Sequence, residues 1–290
     1  MSAYGLFLVS GLAVGALYAL GGVGLVVLNR ATGFLNFAHG AIGAMGAMTA
    51  WQMAAWAMPE PVVWGAAIGI GALLSLLFGR FVAPGLAHRE PVVKAVATLG
   101  FAIALLGVMN LLWVTTPRRL SFTLDGLFIT LGGIRITGTR MLAFGGGLAV
   151  VAGVTILLVT TRVGLMMRSL ADNRPVAALL GTPVLRVETL AWGLSGALAG
   201  FTGLMFGGLV QLDPTLLTFM VIPVIAAAIV ARLSSISVTF AAGLLIGVTE
   251  SMLALYPPLA PFRSAAPFAV AIIALMWLQR GRRLTFAGED

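Results

Sequence analysis

The chain has 290 residues, of which 60% are hydrophobic and only 9% charged. A soluble domain carries roughly 25% charged residues, so this chain cannot build a wetted surface and must turn most of its outside toward lipid as one membrane domain. The net charge of +8 is dispersed over loops without a basic face interleaved with aromatics, which argues against a nucleic-acid partner. The lack of cysteine removes disulfides and thiolate sites, and His39 and His88 are too few for a histidine-rich metal site.

In chain order, the first apolar run is Tyr4–Leu28. It lacks a basic lead-in and exceeds the apolar core of a signal peptide, about 7–15 residues, so it reads as a retained helix. A helix needs about 20 apolar residues to cross a bilayer. Further spans are expected at Asn36–Met58, Val62–Val82, Val96–Val114, Met141–Thr160, Thr189–Leu212, Leu216–Ala231, Ile236–Tyr256 and Ala265–Leu278. The expectation is an all-α polytopic transmembrane bundle of eight or nine segments. Leu216–Ala231 and Ala265–Leu278 are short and contain Pro223 and Pro267, so they read as broken or tilted pieces that lean on protein. Small residues recur at helical spacing, as in Gly11/Gly15, Gly196/Gly200/Gly203 and Gly243/Gly247, which lets helices approach closely in lipid.

Polar residues inside these runs are rare. Asn36 is placed to cap a helix starting at Phe37, with His39 just inside it. Such a helix start carries roughly half a positive charge and can face an anionic substrate group. Alternatively, Asn36 and His39 bond neighbouring helices near the membrane surface. Glu250 is an acid well inside an apolar span, and ionised groups at that depth usually face a cavity or a partner. It can line a pathway, cap a broken helix or sit in a packed interface, and no basic mate is evident by spacing.

Two loops stand out. Thr115–Arg140 holds the apolar stretch Leu127–Ile136 around Gly132 and Gly133, readable as a short hairpin or as a helix lying on the membrane. Thr161–Glu188 carries a compact set of helix signals. Asp172 or Asn173 can cap a helix start, and Pro175 suits its first turn. Gly181 suits the left-handed position after its end, and Pro183 blocks continuation. A short helix over Arg174–Leu180 is expected, presenting Ala177, Ala178 and Leu180. It reads either as a plug for a socket in another protein or as an amphipathic helix on the membrane surface.

Basic residues fix the orientation. With a cytoplasmic C-terminal tail bearing Arg280, Arg282 and Arg283, nine crossings place twelve of the 17 basic residues on that side, including Arg30, Arg80, Arg89, Lys94, Arg162, Arg168, Arg174, Arg186 and Arg232. Arg118, Arg119, Arg135, Arg140 and Arg263 then fall outside. The N-terminus is external, unless one short segment is re-entrant.

Three ordered patches carry a family resemblance. The N-terminal patch is Gly15-Ala-Leu-Tyr-Ala-Leu-Gly-Gly-Val-Gly-Leu25, then Thr32-Gly-Phe-Leu-Asn-Phe-Ala-His-Gly40. The loop patch runs from Ala171 through Gly181 and on to Arg186–Gly200, and the last is Gly243–Glu250. Together they resemble the permease subunits of branched-chain amino acid ABC transporters, whose close relatives move urea and short amides. The resemblance implies one permease domain over residues 1–290, with residues 161–188 as a cytoplasmic coupling loop. It implies a multi-pass protein of the bacterial inner membrane, paired with a second permease that is by family habit a paralogue. It also implies two cytoplasmic ATPase subunits and an external solute-binding protein. The helix over Arg174–Leu180 would couple to the ATPases, with Arg168, Asp172, Asn173 and Arg174 as polar contacts.

The residues agree that the chain has no nucleotide chemistry of its own. There is no Gly-x-x-x-x-Gly-Lys-Ser/Thr motif, and the lone lysine, Lys94, follows Val93. No cofactor is expected in this chain; ATP and magnesium belong to the partner subunits. The alternative is a stand-alone secondary transporter or channel for a small solute such as urea or an amide, which would need intramembrane carboxylates beyond Glu250. An intramembrane enzyme would need a paired acid and base at one depth, and nothing in the spacing joins His39 to Glu250.

Overall fold

The computed structural model describes residues 2–113, 118–131 and 134–279. Arg280, Arg282 and Arg283, part of the sidedness argument, lie outside the described residues, as do Gly132 and Gly133. The architecture is an all-α bundle. Seven described helices are long and apolar enough to cross a membrane. Two shorter elements complete the set: α2 (His39–Ala55), and the pair α10 (Pro214–Phe219) and α11 (Val221–Val230). These nine segments correspond to the nine runs read from the sequence.

Helix α1 (Ser2–Thr32) forms the axis of the bundle and is almost wholly buried beyond its first turns. Along it lies α12 (Ile236–Leu253), and the two meet through facing glycine pairs. A Cβ on Gly243 would stand 2.4 Å from the Ala19 nitrogen, and one on Gly247 2.4 Å from the Gly15 Cα. Only glycine allows that approach, which replaces side-chain packing with direct backbone contact. A second glycine seam joins α9 (Val184–Leu209) to α2 and α3 (Glu60–Leu77), where Gly203 meets Gly43 and Gly196 meets Gly71. Buried Ser75 adds a hydrogen bond, donating to the Trp192 carbonyl at 2.6 Å.

Helix α3 ends in a one-turn π segment, Phe78–Val82, before the short α4 (Ala83–Leu86). Trp192 packs against Gly79, whose missing Cβ leaves room for it. Helix α5 (Pro91–Leu112) and α6 (Gly138–Thr160) flank the core and turn broad apolar faces outward, as does α13 (Ala266–Gln279). Between α5 and α6 the described parts of the Leu127–Ile136 stretch are two paired strands, not a surface helix. Its strands β1 (Phe128–Leu131) and β2 (Ile134–Thr137) pair antiparallel.

The loop over residues 161–188 is more structured than the sequence suggested. It contains α7 (Arg162–Asp172), which was not anticipated, and α8 (Arg174–Leu179). It then runs into α9, which starts at Val184 and not at Thr189. Thr161 caps α7, accepting from the Gly164 N–H at 3.1 Å, and Met167 and Leu170 turn inward.

Candidate functional site

The two ends of the bundle differ. One carries the start of α1 and the turn after α12, joined by the Tyr4 and Tyr256 hydroxyls at 3.2 Å. The other carries the end of α1, where Arg30 donates to the Ser234 carbonyl at 3.3 Å.

At the Arg30 end, α8 is built from local caps. Asn173 accepts from the Val176 N–H at 3.1 Å, Pro175 lies in the first turn, and Asp172 ends α7 without capping α8. At the other terminus, Gly181 takes a left-handed φ of +85°. The N–H groups of Gly181 and Thr182 donate to the Ala178 and Ala177 carbonyls, each at 3.0 Å, completing the double closure typical of a glycine-ended helix. The expected outward face needs one correction. Ala177 is buried, because it packs toward α7 and the lower core. The outward face is instead Val176, Ala178, Leu179 and Leu180, with Leu179 87% and Leu180 80% exposed.

The polar residues around α8 split. Arg174 pairs with Glu188 at 2.6 Å, a partner fourteen residues on that no local rule flagged. Arg168 turns away from α8 and donates to the Val159 carbonyl at 3.4 Å, near the carbonyl end of α6 where a cation is favoured. Arg30, Lys94, Asp172 and Arg174 line a cavity of about 570 Å³, and Lys94 also stands 5.0 Å from the Phe34 ring centroid.

Asn36, Phe37 and His39 lie deeper than their distance from Arg30 in sequence implied. After α1 the non-helical stretch Gly33–Ala38 turns back into the bundle: the Phe37 N–H donates to Thr98 Oγ1, two turns inside α5, at 3.1 Å. Helix α2 begins at His39, and Asn36 does not cap a helix at Phe37. Its carboxamide oxygen closes a tight turn on the Ala38 N–H at 3.0 Å, a local bond that Asn side chains favour. Asn36 and His39 are 1% and 3% exposed. Among the described residues, Asn36 Nδ2 and both imidazole nitrogens have no partner, so neither side chain bonds a neighbouring helix through them. His39, Thr202, Phe206 and Met220 border a void of about 20 Å³, room for about one water.

Toward the Tyr4 end a cavity of about 520 Å³ opens between α1, α9, α10 and α12. Glu250 lines it and accepts from the Tyr18 hydroxyl at 2.8 Å. Glu250 therefore sits in a cavity wall, bonded to Tyr18 and, among the described residues, not to a basic residue within ion-pair distance. Tyr18 itself is buried against Phe206, with ring centroids 5.5 Å apart. Phe206 and Met220 border both this cavity and the small void at His39, so they form the wall between them. Met220 is also the break between α10 and α11. Sequence reasoning missed Tyr18, Arg140 and Arg263, all of which face this cavity. Tyr18 stood inside the N-terminal patch, but nothing local tied it to Glu250, 232 residues away.

An axial helix sealed by glycine seams, short buried half-segments and seven helices of membrane-crossing length define a multi-pass membrane protein. The chain belongs to the family described as branched-chain amino acid transport system / permease component, which matches residues 7–278. It is 25% identical over 260 residues to the high-affinity branched-chain amino acid transport system permease protein BraD of Pseudomonas aeruginosa, covering 84% of each chain. It is 22% identical to the corresponding LivH of Escherichia coli K12, covering 94% of this chain and 92% of that protein. A probable LivH of Methanocaldococcus jannaschii is 27% identical over 193 residues, 64% of this chain. That match spans 61% of the archaeal protein's length, under two thirds. The structure of PsaBC from Streptococcus pneumoniae in complex with Fab aligns with a TM-score of 0.47 at 17% identity, covering 96% of this chain and 90% of that one.

Proposed function

We propose that this chain is the membrane-spanning permease subunit of an ABC importer, a single domain over residues 1–290 that moves branched-chain or related amino acids. It hydrolyses nothing itself; ATP and magnesium bind two ATPase subunits on the cytoplasmic side. A second permease, a paralogue, completes the translocation unit, and an external binding protein delivers the solute. The protein lies in the bacterial inner membrane with its C-terminus and the α8 end in the cytoplasm, which follows from the crowding of basic residues there.

The observation that carries this reading is α8. Two leucines, Leu179 and Leu180, stand almost fully exposed on a helix capped at both termini. Such side chains are costly to leave in water and suit a groove on a partner. Asp172, Asn173 and Arg174 flank that helix as the polar contacts, Arg168 supports them from α7 while held on the end of α6, and Pro175 and Gly181 hold its length. Closure of the ATPases around α8 moves it, and the membrane helices follow. The nucleotide then shifts the balance of inward- and outward-facing states by its differential affinity for them. Asn36, Phe37, His39 and Glu250 line the solute's route, with Glu250 in the wide cavity and His39 behind the Phe206–Met220 wall.

Co-purification tests the reading. The wild-type chain should retain its ATPase subunits in detergent, and Ala178→Arg should release them while membrane insertion stays normal. Full ATP-dependent uptake by the Ala178→Arg complex would sink the assignment of α8. Uphill uptake by the isolated chain would point instead to a stand-alone transporter.

A further inference from the structure

The wide cavity holds opposite charges that form no close pair. Glu250 reaches it from α12, Arg140 from the first turn of α6, and Arg263 from the short helical turn Ala260–Ala265. Among the described residues no ion pair within 4.0 Å joins Glu250 to either arginine, although all three border one space. Glu250 is half-buried and held by a rigid donor, because the Tyr18 ring is locked on Phe206. Arg263 is exposed at the mouth. The walls between the charged groups are apolar, built from Phe7, Val14, Phe206 and Leu216. A volume of about 520 Å³ falls within the range of small-molecule sites, roughly 300–1,000 Å³.

We infer that this cavity is a two-ended site for a zwitterionic α-amino acid with an apolar side chain, in which Glu250 takes the ammonium and Arg263 and Arg140 take the carboxylate. The inference rests on the importer reading and sharpens it by naming the groups that discriminate among solutes. The amino acid enters ammonium first, because the carboxylate of the protein lies deep and an arginine lies at the mouth. Its side chain lies along the apolar wall. A neutral solute such as urea or an amide would leave both charged ends uncompensated, and a site built around polar partners rejects ligands that lack them. The Tyr18 hydroxyl is a positioning group that holds the Glu250 carboxylate toward the cavity.

The test uses the absence of native cysteine. Ser10 lines the cavity, so Ser10→Cys places this chain's single thiol there. The purified transporter complex, in lipid nanodiscs and without the binding protein, is labelled with a small maleimide. L-Leucine at about 20 mM should slow labelling about fivefold, as expected for a ligand with millimolar affinity, and acetamide at the same concentration should not. Glu250→Gln and, separately, Arg263→Gln should each cut the protection below about twofold, with protection measured against each variant's own rate without leucine. Arg263 lies on an exposed turn, so its replacement keeps the test meaningful if the Glu250 variant fails to assemble. Equal protection by acetamide, no protection by leucine, or full protection surviving in the Arg263 variant overturns the zwitterion site. Loss of the ATPase subunits from the parent complex is a separate failure, that of the importer reading.

Discussion

Along α1 and α12 the backbones themselves touch, whereas α8 meets the bundle through one small side chain, Ala177, and the Arg174–Glu188 pair. The first region is held by close approach over several turns. The second is held by caps within its own few residues, so it can shift as a unit without opening the core. Under the importer proposal, α8 is the part that is driven and the α1–α12 seam is the axis that stays rigid.

The largest expected effect breaks the seam. Gly243→Val puts branched carbons where even a Cβ would be 2.4 Å from the Ala19 nitrogen. Overpacking costs about 1–3 kcal/mol where side chains can adjust, and here the obstacle is backbone, so the cost should reach at least the upper value. Size-exclusion chromatography should show loss of the folded peak; a normal profile would mean that the two helices can separate freely.

A smaller effect should stay confined to the surface arm. Asn173→Ala removes the α8 cap at a cost of about 1 kcal/mol. Amide exchange over residues 174–180 should then accelerate roughly fivefold with the melting temperature unchanged. A global destabilisation would show that α8 and the core open together.

Ser75→Ala reverses the pattern. The lost bond to the Trp192 carbonyl is worth about 0.6 kcal/mol, and it should lower the melting temperature slightly while α8 exchanges as before. Arg174→Ala should change stability least, by under about 0.5 kcal/mol, because the arginine is 38% exposed and water screens the pair. Its effect should appear instead in ATPase retention, and a large drop in melting temperature would contradict the independence of the two regions.

Much of the surface arm was legible in the sequence because its signals are local. Asn173, Pro175 and Gly181 act on atoms within five residues, and the helix fell where they placed it. Helix α7 also carries a sequence signal, since Val163, Met167 and Leu170 recur at helical spacing, but that signal spans only eleven residues and is weaker than the caps of α8. The direction of Ala177 was not legible, because on a six-residue helix either side can face the bundle until α7 is in place. Glycine spacing marked both α1 and α12 as close-packing helices, but not as each other's partners.

Composition alone determined that the chain lives in lipid: with 9% charged residues there is no polar surface to wrap around a core. Apolar run lengths gave eight or nine membrane segments, because a bilayer has a fixed thickness. Only the tertiary structure decided that the stretch before α2 turns back inside, that Glu250 meets Tyr18, and that Arg140 and Arg263 share its cavity. Those relations join residues tens to hundreds of positions apart. They depend on how helices pack across space, and one strand of sequence carries no record of that beyond the small residues that permit it.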